Sequence, residues 1–154
     1  MQGPGLGEEM KDVSCPAGVP VSGIGLETPS QTKTITARVL DATPKTAARF
    51  DNSWTVQFLD AQGAPLNDVT INNACAWMYV HQHGGPPMAV TQLSDPSTFE
   101  LKALNLFMRG PWSIELAVSS PSKGGTPTQM TACDRNGKAL GMDKIALSIC
   151  VQDE

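Results

Sequence analysis

The chain has 154 residues, 40% of them apolar and only 5% aromatic, enough for one domain whose core is filled mainly by Val, Ile, Leu and Ala. A net charge of −4 without any run of Lys or Arg excludes the electrostatic footprint of a nucleic-acid binder. No stretch approaches the roughly eighteen consecutive apolar residues that a membrane-spanning helix needs.

Residues 1–32 are rich in Gly and Pro and read as an irregular segment. The opening Met1-Gln2-Gly3-Pro4-Gly5-Leu6-Gly7 has no hydrophobic signal core, and Met1 is read as a start replacing a removed export signal, for which a lipoprotein signal is one candidate. From Lys33 to Leu40 the apolar Ile35, Ala37 and Val39 share one face, and Thr34, Thr36 and Arg38 take the other. That period of two predicts a strand. Trp54, Val56 and Phe58 repeat the pattern and run into the turn Asp60-Ala61-Gln62-Gly63. Val69-Thr70-Ile71 then continues through Cys75 and Trp77 to Tyr79 on one parity. Phe99, Leu101 and Ala103 predict a further strand. The clearest one follows Pro111, with Trp112, Ile114, Leu116 and Val118 inward and Ser113, Glu115 and Ala117 outward.

Ser119 to Pro127 reads as a surface loop, and Asn136-Gly137 carries the strongest hairpin signal, because both residues tolerate the positive φ of a type I′ turn. That turn would pair a strand holding Met130 and Cys133 with one holding Leu140 and Met142. Ile145, Leu147, Ile149 and Val151 complete the set. Seven or more short alternating segments without a helical period predict an all-β fold, an immunoglobulin-like β-sandwich over residues 33–119. Residues 120–154 complete the same domain with a C-terminal β-hairpin and strand.

Cys15, Cys75, Cys133 and Cys150 are far apart and form no Cys-x-x-Cys pair, which argues against a zinc ribbon or a thioredoxin-type motif. The even, scattered count predicts two disulfides and an oxidising compartment, periplasmic or at the cell surface. Cys15 is expected to tie the N-terminal segment to Cys133 or Cys150, and spacing alone leaves the connectivity open.

Three segments fall in a familiar order: Asn52 to Leu66 with its Gly63-Ala64-Pro65 turn, Met78-Tyr79-Val80-His81-Gln82-His83-Gly84, and Met108-Arg109-Gly110-Pro111-Trp112. The order resembles the YtkA-like (FixH-type) domains of bacterial exported and membrane-anchored proteins, over about residues 33–119. Met78, His81, His83, Gly84, Met108, Gly110 and Trp112 occupy that family's marked places, whereas Tyr79-Val80 departs from the short Pro-containing stretch usual there. The resemblance implies an immunoglobulin-like sandwich, an extracytoplasmic location and a link to copper.

Both histidines and two of the seven methionines lie within Met78–Met88. Imidazole suits copper in either oxidation state and thioether sulfur selects Cu(I), so His81, His83, Met88, Met78 and Met108 are the candidate ligands. On a persisting strand His81 and His83 project from one face. Met88, held by Pro86-Pro87 in an exposed loop, is the best thioether, whereas Met78 and Met108 are also explained by packing, as are Met10, Met130 and Met142. Trp54 and Trp112 read as core; Trp77 either shields a metal or packs with Val69 and Ile71. Ligation needs neutral imidazole, so binding is expected to weaken as pH falls through about 6.5.

No Gly-x-Ser-x-Gly elbow, phosphate loop or singled-out carboxylate pair is present, so a non-enzyme is expected. The two readings are a copper protein of the periplasm or cell surface, serving storage, delivery or detoxification, and a metal-free structural or protein-interaction module of the bacterial cell envelope.

Overall fold

The computed structural model describes residues 14–124, Cys133 and 143–152. Among the described residues there are nine strands: β1 (Glu27–Pro29), β2 (Ile35–Thr43), β3 (Ser53–Asp60), β4 (Thr70–Met78), β5 (His83–Gly84), β6 (Ala89–Gln92), β7 (Thr98–Lys102), β8 (Gly110–Ser119) and β9 (Asp143–Val151). They form a five-stranded sheet in the order β1-β2-β3-β7-β6 and a four-stranded sheet in the order β5-β4-β8-β9. All pairings are antiparallel. With β2, β3, β7 and β6 in one layer and β5, β4, β8 and β9 in the other, the order is that of an immunoglobulin-type sandwich, to whose edge β1 is added.

The alternating segments bury the faces their pattern requires. Ile35, Ala37 and Val39 of β2, Trp54, Val56 and Phe58 of β3, Trp112, Ile114, Leu116 and Val118 of β8, and Ile145, Leu147, Ile149 and Val151 of β9 meet in one core between the layers. Asp60 Oδ1 accepts hydrogen bonds from the Gln62 and Ala64 amides at 2.9 Å and closes the turn that follows β3. Asn52 fixes the loop ahead of β3: its Nδ2 donates to the Ala48 and Leu104 carbonyls, and its Oδ1 accepts from the Ala48 amide.

Three departures from the sequence pattern matter. In β4 the register shifts between Ile71 and Asn73, so the single parity expected from Val69 to Tyr79 breaks. One inserted residue exchanges the two faces of a strand. Ala74, Ala76 and Met78 therefore join the main core, and Cys75 packs with Ala117 and Cys133 on the opposite face of the sheet. Trp77 is buried as expected, but on that outer face rather than beside Val69. The strand expected to reach Ala103 stops at Lys102, since Ala103 takes a φ of 59°. A short strand, β1, lies inside the segment expected to be irregular; as an edge strand it tolerates Pro29, which has no N–H to donate. The Asn136-Gly137 hairpin, with Met10, Met130, Leu140 and Met142, lies outside the described residues.

Two disulfides join Cys15 to Cys150 and Cys75 to Cys133, and no described cysteine is free. The N-terminal segment also covers the open edge of β9, where the Cys150 amide donates to Pro20 O and the Gln31 amide to Lys144 O, each at 2.9 Å.

Replacing both Cys15 and Cys150 by Ala opens a loop with a sequence separation of 135 and is expected to cost about 4–5 kcal/mol on the chain-entropy account. Urea midpoints of the double variant and the parent check this. At Gly23 an added Cβ would lie 2.8 Å from the Trp54 indole, which is locked in the core. Gly23→Ala is expected to cost about 1–3 kcal/mol by overpacking, read from the same midpoints.

Candidate functional site: the histidine hairpin

β4 turns back into β5 through Tyr79-Val80-His81-Gln82. Gln82 adopts a φ of 56°, and its Nε2 donates to the Tyr79 carbonyl at 2.7 Å, which stitches the turn. β5 is only two residues long, with His83 opposite Met78 and Gly84 opposite Trp77. Residues directly opposite in an antiparallel pair share a face, so His83 projects to the same side as Met78, toward the end of the core. Gly85 extends the pairing through its amide to Ala76 O at 2.9 Å. A Cβ at Gly85 would lie 3.1 Å from Asn105 O, a tight approach that would push the neighbouring chain by a few tenths of an ångström.

The His83 ring sits inside a run of aromatic groups. It lies parallel to His81 within 2° with centroids 5.8 Å apart, stacks on Phe107 at 5.3 Å, and meets Trp112 edge-on at 5.9 Å. Phe107 and Trp112 contact each other at 5.4 Å, and the Trp112 indole N–H donates to Met108 O at 2.9 Å. Both ring nitrogens of His83 are screened from solvent and, like Asn105 Oδ1, have no well-formed hydrogen bond among the described residues. Burial pushes the His83 imidazole below the ordinary histidine value and the neighbouring His81 adds to this, while the Gly84 backbone partly opposes it.

Each predicted ligand can now be placed. His81 and His83 are together at the hairpin, the first partly exposed and the second in the aromatic run. Met88 is half-buried against the core, with β6 beginning one residue later. Met78 is wholly enclosed in the core and Met108 nearly so, where both act as filler between the sheets. Trp77 faces away from the core, edge-on to Tyr79. Among the described residues no three His, Cys, Asp or Glu side chains gather, so an ion held here would depend on thioether as well as imidazole.

Phe107 and Asn105 were not singled out for the site in the sequence, because the irregular stretch between β7 and β8 reads only as packing and does not show what it packs against. The adjacent Leu104, Leu106 and Met108 were its only signal.

No protein-family model matches this chain, and no curated protein or solved structure is similar enough to match it.

A folded imidazole with a lowered pKa releases its proton more readily than the unfolded one, so the unfolded chain holds more protons below about pH 6.5. The contribution of His83 is therefore complete above about pH 6.5 and declines as pH falls through that value toward the lower folded one. His83→Phe, which keeps a ring against Phe107 and Trp112, is expected to flatten the loss of stability between about pH 7 and pH 5. Urea midpoints across this range decide it, and parallel curves for the two proteins would assign the slope to other groups.

Proposed function

We propose that the protein is an extracytoplasmic copper-binding domain whose ligands are His81 and His83 with the thioether of Met88. The observation that carries this reading is the pair of adjacent parallel imidazoles at the hairpin, one of them with no well-formed hydrogen bond at either nitrogen among the described residues. A buried nitrogen without a partner is costly, and a metal relieves that cost. The lowered pKa keeps His83 neutral, which is the ligating form. Parallel rings offer their lone pairs to one ion only when they are also coplanar, so binding entails rotating at least one of them; the partly exposed His81 has the freer path. Met78 and Met108 are enclosed in the core between the sheets. Their burial makes them secondary to Met88.

Two disulfides fit an oxidising compartment, and the order of the Met78–Gly84 and Met108–Trp112 segments supports membership of the YtkA-like family. Storage, delivery or detoxification of copper in the periplasm or at the cell surface follows from such a site. A second reading has its own observation: Tyr79 and Val80, 52% and 51% exposed at the tip of the same turn, present apolar surface suited to an envelope protein partner.

Competition titrations with Cu(I) and Cu(II) test the first reading. His81→Ala/His83→Ala is expected to weaken both ions by at least about tenfold, and Met88→Leu to weaken Cu(I) more than Cu(II). Wild-type affinity in the double histidine variant would remove the site, and a wild-type chain without copper affinity would leave the partner-binding reading.

A further inference from the structure

The outer face of an antiparallel sheet in a sandwich is ordinarily wet and polar. On the four-stranded sheet it is covered: Cys75, Trp77, Ser113, Glu115 and Ala117 are all buried. Cys133, bonded to Cys75, lies against this face. Glu115 is the only charged residue within β8, and it is 7% exposed. A carboxylate at that depth is rare unless it is paired. Its described partner is neutral: the Tyr79 phenol donates to Oε2 at 2.8 Å.

Beside this carboxylate opens a cleft of about 360 Å³, lined by Tyr79 and Glu115, by Thr28 and Gln31 from the segment around β1, and by Lys144 of β9. The volume lies at the small end of the range for ligand sites, roughly 300–1,000 Å³. Lys144 is the cationic side chain of this lining. In the β8–β9 ladder Ala117 is opposite Lys144 and Glu115 opposite Ala146, so Glu115 and Lys144 are diagonal neighbours on one face of the sheet. They form no ion pair with each other among the described residues. The Lys144 backbone is fixed, its carbonyl taking the Gln31 amide at 2.9 Å.

The cleft therefore presents a negative and a positive group, side by side and unjoined. A free anion would meet Glu115, and a simple cation would meet Lys144. A divalent metal would find one carboxylate, too few oxygen ligands to hold it. We propose that the cleft binds a small zwitterion, its ammonium on the Glu115 carboxylate and its carboxylate on the Lys144 ammonium, with a free α-amino acid as the simplest such ligand. The Tyr79 hydrogen bond holds the Glu115 carboxyl in place, and Thr28 and Gln31 supply neutral polar contacts at the rim. This site is independent of the copper reading, since neither Glu115 nor Lys144 belongs to the proposed ligand set.

The test is calorimetric titration of the oxidised full chain with glycine, L-alanine and L-glutamine, and with n-propylamine and propionate as single-charge controls. At least one amino acid is expected to bind saturably, at least about tenfold more tightly than either control. Glu115→Gln keeps the volume and an acceptor for Tyr79, and Lys144→Met keeps the stem. Each is expected to weaken the amino acid by at least about tenfold while leaving the urea midpoint and the copper titration at wild-type values. Absence of binding by all three amino acids at about 10 mM, equal binding of propylamine, or unchanged affinity in both variants would each overturn the proposal.

Discussion

One extra residue in β4, at the register shift between Ile71 and Asn73, decides how the rest of the molecule is arranged. Without it Cys75 and Trp77 would point into the sandwich and Met78 out of it. With it, Cys75 reaches the outer face where Cys133 waits, and the small side chains of Ala74 and Ala76 occupy the inner face. The same exchange sends Met78 inward and, through the hairpin ladder, carries His83 with it into contact with Phe107 and Trp112. The outer covering, the second disulfide and the setting of the histidines thus follow from a single backbone irregularity.

Where the chain alternates strictly, sequence and structure agree. β2, β3, β8 and β9 bury the residues their period of two assigns, because each lies between solvent or covering chain and one common core. Agreement fails where a backbone conformation replaces the pattern: the bulge in β4, the positive φ at Ala103, and the edge position that admits Pro29 to β1. Residue type announces these only faintly. Asn72-Asn73 was the faint signal for the bulge, two strand-averse residues in an otherwise β-prone run.

For the candidate site, the sequence placed the two histidines only with respect to each other, and on a persisting strand, whereas His81 lies in the turn and only His83 in β5. Their joint setting against Phe107 and Trp112 depends on a contact between β5 and the segment ahead of β8, separated by more than twenty residues in the chain, and such non-local packing leaves no periodic trace. The methionines illustrate the same limit. Met78 and Met108 have the chemistry of ligands and the burial of core filler, and only the register of β4 and the fold of the Leu104–Met108 stretch separate the two. Glu115 was read as outward-facing and does lie on the outer face; its burial there comes from what covers that face, and no property of the strand itself encodes the cover.

The bond between Cys15 and Cys150 ties together residues near the two ends of the described chain, so eight strands and nearly all of the ninth are enclosed in one covalent ring. Tension applied between the flanking ends passes from one cysteine to the other through the sulfur bridge and never loads the hydrogen-bonded ladders inside. The sandwich is in this sense mechanically insulated: as a link in a stretched assembly it would transmit force without extending, and its sheets would feel strain only after the bridge had been reduced.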